Sequence, residues 1–206
     1  MSASFSLMVL MLSATGSASK ATLKVPPQDD AERPVPLAIS AYPQDGNLAL
    51  RVEFDKAPWG NDCGQRCANT TVFIDLDAGE NTGLQLTDQA EAGADLAITI
   101  QGVRDYREES ALPGLRIRSR HFETAAGAVD SGEPLQDLDL RRDPDRVSYT
   151  GKSVKILIDL SQRAVPAGKA MRIVYHPPGG QSVTAQVPGF LAGEVRHRAR
   201  LKKKKR

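Results

Sequence analysis

The chain has 206 residues, 40% of them hydrophobic, which sets one ordinary core with tails as the expectation. Aromatic residues are only 5% of the chain while Val, Ile, Leu and Thr fill its alternating stretches, so the core is expected to be aliphatic and built from strands. The formal charge of +2 conceals an asymmetry: residues 196–206 hold eight of the 27 basic residues, leaving 19 against 25 acidic ones elsewhere, so an acidic body ends in a cationic tail.

Residues 1–21 read as a signal peptide, with an apolar run at 7–12 followed by small residues at 13–19. That run is far shorter than the roughly 20 apolar residues a membrane helix needs, and no later segment comes closer. A secreted or periplasmic protein with no membrane span is the expectation. Residues 22–34 carry Pro26, Pro27 and Pro34 among charges and predict an extended arm.

The folded domain is expected over residues 35–190. Two runs flank a turn at 44–47, and in the second Leu48, Leu50, Val52 and Phe54 alternate with Ala49, Arg51 and Glu53 as in a half-buried hairpin strand. Further runs of period two occupy 71–77, 94–101, 115–122, 153–160, 170–175 and 183–187, giving about eight strands. Residues 105–112 allow a short helical turn, and 137–145 read as a charged loop. Many short strands without intervening helices predict a single all-β domain, an antiparallel β-sandwich. Residues 191–206 read as a basic, disordered tail, either a solvated end or a contact for polyanions or a membrane surface, with no specific nucleic acid implied.

Cys63 and Cys67, the chain's two cysteines, predict a local disulfide in an exported protein. A zinc site would need two further ligands, and His121, His176 and His197 are remote in sequence. Closing so small a ring removes little chain entropy, so its role is to shape the loop. Trp59, beside it, is read as a plug packed on that disulfide.

In a strand, alternate side chains share a face. Asp75 and Asp77 therefore stand together beside Phe73, while Val72, Ile74 and Leu76 point the other way. If the run beginning at Ala94 pairs with this strand, Asp95 reaches the same end. Three adjacent acids repel unless a cation neutralises them, and calcium does so with six to eight oxygens, here from carboxylates, Asn81 and loop carbonyls. The competing reading is that Asp, Asn and Gly are simply good turn residues at a strand end. The spacing is not that of an EF-hand.

These residues also carry a resemblance. Phe73-Ile74-Asp75-Leu76-Asp77, Asn81-Thr82-Gly83 and Gly93-Ala94-Asp95 together resemble a signature of exported bacterial β-sandwiches similar to family 9 carbohydrate-binding modules and DOMON-like domains. The hairpin around Gly46 and the segment 54–58 fit it too, so the resemblance spans residues 35–187. It implies a sandwich with structural calcium, with Asp75, Asp77 and Asp95 at the matching positions, that displays a ligand surface. The chain departs from sugar-binding relatives in having one tryptophan. Haem-binding relatives use Met and His ligands, and with the signal removed only Met171 remains, to pair with His121 or His176, so haem is not expected.

Arg116, Arg118 and Arg120 occupy one face of a strand and are read either as a grip for phosphate, sulfate or uronate groups or as charges that protect a sheet edge. His121 falls on the Leu115 and Ile117 face, where a structural histidine is expected. Asp130-Ser131-Gly132 resembles the signature of aspartic proteases, which need a second carboxylate, and no second copy is present. No nucleophile elbow, His-Glu-x-x-His or phosphate loop occurs. The expectation is an exported, non-catalytic binding or surface-associated module for a glycan or anionic envelope polymer. Its alternatives are a purely structural envelope protein and an aspartic protease using Asp130.

Overall fold

The computed structural model describes residues 21–26, 32–44, 47–63, 66–77, 83–85, 93–103, 114–122, 133–160, 170–178 and 182–187. The expected signal sequence through residue 20, Asn81, the helical turn at 105–112, Asp130 and the basic tail lie outside the described residues.

Alternating apolar residues become two antiparallel sheets packed face to face. The five-stranded sheet runs in the order β1 (Ala21–Lys24), β2 (Pro36–Gln44), β3 (Asn47–Phe54), β11 (Ser153–Asp159) and β10 (Val147–Thr150). The six-stranded sheet runs in the order β13 (Val183–Val187), β12 (Met171–Tyr175), β4 (Asn69–Asp75), β7 (Leu96–Val103), β8 (Gly114–His121) and β9 (Glu133–Asp139). A small hairpin, β5 (Leu84–Gln85) with β6 (Gly93–Ala94), completes the set. Among the described residues the one helical element is a 3-10 turn at Asn61–Cys63, and no helix is long and apolar enough to cross a membrane. The chain is an all-β antiparallel sandwich.

The core lies between the sheets. Ile39, Leu48, Leu50, Val52 and Ile156 from one layer meet Val72, Ile74, Ile98, Ile100 and Ile117 from the other, all fully or almost fully buried. Aligned sheets bury the inner residue of each alternating pair this way, at about 25 cal/mol per Å² of apolar surface. Phe54 is the one aromatic side chain among the largest fully buried residues, in keeping with an aliphatic core.

The expected arm is more ordered than its prolines suggest. Residues 21–24 pair with β2, from Ala21 opposite Ala41 to Lys24 opposite Ala38, and Leu23 and Val25 enter the core. β1 therefore lies against β13 on one side of the sandwich. A bulge falls between Pro36 and Ala38, leaving Leu37 at 48% exposure as the exposed large hydrophobic residue.

Part of the expected charged loop is strand. β9 ends at Asp139, and the turn begins only after it, with Asp143 Oδ2 accepting the Asp139 N–H at 2.8 Å. β9 pairs with β8 through an irregularity between Ser119 and Arg120, which leaves Leu135 without an opposite residue. β8 is consequently an interior strand, so its arginines do not guard an edge.

Candidate metal centre

β4 and β7 are antiparallel neighbours in the six-stranded sheet. Ile74 lies opposite Leu96, and the Asp95 N–H donates to the Ile74 carbonyl at 3.0 Å. The pairing anticipated from the sequence therefore exists, and it carries Asp95 to the end of the strand that holds Asp75 and Asp77. The three carboxylates each place an oxygen within 4.8 Å of the others. Val72, Ile74 and Leu76 face the main core, while Phe73 points to the outer side of the sheet, so the two-faced reading of this strand holds.

Asp75 has no exposed surface. Its Oδ2 accepts from Arg172 Nε at 2.9 Å and Nη2 at 2.6 Å, and its Oδ1 accepts the Asp77 N–H at 3.1 Å, the local bond of an Asx turn. Arg172 on β12 stands directly opposite Asp75, which fixes this pair by register. A buried carboxylate without such a partner would be strongly unfavourable. Sequence reasoning missed Arg172. The signal was a lone charge in the apolar run 171–175, on the same face as the buried Val174.

Asp95 joins three segments. Its Oδ2 accepts the Leu76 N–H at 2.7 Å, its N–H bonds Ile74, and its carbonyl accepts the Phe122 N–H at 2.9 Å. Burial pushes its carboxyl up from 3.8 to about 6; the Leu76 N–H opposes that shift, and the charges of Asp77 and Asp75 reinforce it. Beside this pole lies a second apolar cluster, Phe73, Leu84, Ala94, Ala97, Phe122 and Val174, which includes one residue from each strand of the β5–β6 hairpin. Gly83 starts that hairpin at φ +71°, and a Cβ there would meet the Ala94 carbonyl oxygen at 2.3 Å.

All described donors here are hard oxygens, the ligands that calcium and magnesium take. A carboxylate oxygen that accepts one hydrogen bond keeps a second lone pair for a cation. The set Asp75, Asp77 and Asp95 thus fits a hard metal ion, with Arg172 already compensating one of its three charges. Asn81 lies outside the described residues.

The other expected residues are elsewhere. Cys63 and Cys67 form a disulfide whose Cα atoms are 4.9 Å apart. Trp59 packs on the main core with its ring 5.4 Å from Tyr149 in an edge contact. Arg116 and Arg118 are exposed on β8, but Asp139 and Asp137 of β9 stand in register opposite them, so this face presents charges of both signs. Arg120, opposite Pro134, is half-buried. His121 is half-buried opposite Leu96. His176, which the sequence weighed as a haem partner and set aside as too remote for a zinc site, bonds Ser182 Oγ through Nδ1 and meets Phe73 edge-on at 5.7 Å. No family model, curated protein or solved structure matches the chain.

Proposed function

We propose that the chain is an exported, non-catalytic β-sandwich module whose Asp75–Asp77–Asp95 pole takes calcium, and that it serves as a binding or surface-associated domain for an envelope glycan or anionic polymer. The observation that carries the metal part is the convergence of three carboxylates within 4.8 Å at one pole. A divalent ion would keep Asp95 ionised and draw Asp77 and Asp95 together. Bound calcium supplies charge neutralisation here, and the chain supplies the fixed oxygens. The resemblance of the short motifs at 73–77, 81–83 and 93–95 to family 9 carbohydrate-binding modules and DOMON-like domains supports the glycan part. The two-signed face of β8 and β9 favours a polyhydroxylated ligand over a purely anionic one, since each exposed arginine already has a carboxylate opposite.

A second reading is favoured by Arg172. Its guanidinium neutralises Asp75 without a metal, and a protonated Asp95 would relieve the remaining repulsion, leaving a structural pole. Melting with calcium and with chelator separates the two, because a ligand bound only by the native state stabilises it. Asp77→Asn is the discriminating variant, as Asp75→Ala would also strand Arg172. The metal reading expects calcium to raise the melting temperature of the parent and to leave Asp77→Asn unmoved. Superimposable curves for the parent would establish the metal-free pole. Retention of a ligand class on a glycan array tests the binding role independently.

A further inference from the structure

The disulfide loop touches a part of the chain that its size alone would not connect to it. Its base is anchored on the sandwich: the Ala68 N–H donates to the Pro58 carbonyl at 2.9 Å, and the Gly102 N–H at the end of β7 donates to the Ala68 carbonyl at 2.7 Å. The approach is so close that a Cβ on Gly102 would lie 2.0 Å from the Pro58 oxygen and 2.9 Å from Cys67 Cβ. Cys63 is fully buried. Between the two cysteines, Arg66 donates its backbone N–H to the Glu32 carbonyl at 2.9 Å, and the two side chains form an exposed ion pair at 3.7 Å. Glu32 belongs to the connection between β1 and β2. The ends of that connection are held by Val25 N–H to the Leu37 carbonyl at 2.9 Å and Val35 N–H to Asp55 Oδ1 at 2.9 Å.

We propose that the Cys63–Cys67 disulfide is a redox latch for the N-terminal edge, holding the β1–β2 connection, and through it β1, on the sandwich. The closed ring fixes Arg66 where its N–H meets Glu32, so the bond forms without ordering a free loop. The exposed ion pair adds little, which puts the weight on the backbone bond. A dithiol reductant delivers two electrons and two protons, converting the disulfide to two thiols while itself closing to a disulfide. The loop then gains freedom, Glu32 loses its fixed donor, and the edge that β1 covers on β2 opens more often. Oxidation in an exported protein is thereby the step that closes this side of the fold, where β1 lies against β13.

Hydrogen exchange of the full chain, oxidised and after reduction with dithiothreitol, reads the latch directly. Peptides covering 22–26 and 32–38 should exchange about tenfold faster once thiol titration shows full reduction, while β7 keeps its protection. Cys63→Ser with Cys67→Ser should behave as the reduced parent. In the oxidised protein, Arg66→Pro removes the donor, leaves the disulfide in place and should free the same peptides. Unchanged exchange in the arm on reduction would overturn the proposal. So would equal acceleration of β7, which would make the disulfide a staple of the whole domain, or full arm protection in Arg66→Pro.

Discussion

Asp75 is a carboxylate withdrawn completely from water, and the geometry that makes this tolerable is a guanidinium bound to one of its oxygens by two donors. Removing one partner of such a pair leaves a buried charge uncompensated, so Arg172→Met should lower stability by about 3–5 kcal/mol in chemical denaturation. The double variant Asp75→Leu with Arg172→Met should recover most of that loss. Asp95 makes a different prediction because its proton is held more tightly in the folded state, near 6 against an ordinary 3.8. With chelator present, stability should fall as pH rises from 3.8 to about 6, where the unfolded chain has released the proton and the native one has not, and stay level above that. Asp95→Asn should lack this slope. The carboxylate cluster was legible from period-two spacing, whereas Arg172 was not. Its partner lies 97 residues away, and only the pairing of β12 with β4 reveals it.

The elements that were readable carry longer apolar runs, whether buried alternately as in β11 or almost continuously as in the middle of β4 and the start of β7. The runs anticipated at 153–160 and 183–187 correspond to β11 and β13, and β11 alternates between buried and half-buried residues from end to end. β9 escaped because its irregular pairing puts Leu135 and Leu138 three apart, a spacing that hides a strand among charges. β1 escaped because four residues beside two prolines carry too little pattern, although Leu23 and Val25 alternate correctly. The β5–β6 hairpin has two residues on each strand and is held by burial rather than by length. Its weak point is Gly83, where both the positive φ and the Ala94 carbonyl exclude a side chain. Gly83→Ala should cost about 1–3 kcal/mol and should speed hydrogen exchange first in the residues around 84 and 94.

At the scale of the molecule, sheet layering followed from the absence of any helical stripe, while function did not follow from the layering, because sandwiches of this kind carry many activities. What the sequence does add is a division of charge: 19 basic against 25 acidic residues before position 196, and eight basic residues with no acidic one after it. A cationic segment of this density binds polyanions by neutralising their charges and releasing counterions, so its affinity falls steeply with salt. The acidic remainder would be repelled by the same polymer. The full chain should therefore elute from a heparin column at clearly higher salt than a chain ending at residue 195, and the truncated chain should flow through near physiological ionic strength. Its melting temperature should match that of the full chain, since a segment with eight basic residues and no acidic one has little apolar surface to bury. Equal elution of the two chains would place any polyanion contact on the sandwich, where Arg116 and Arg118 become the residues to exchange.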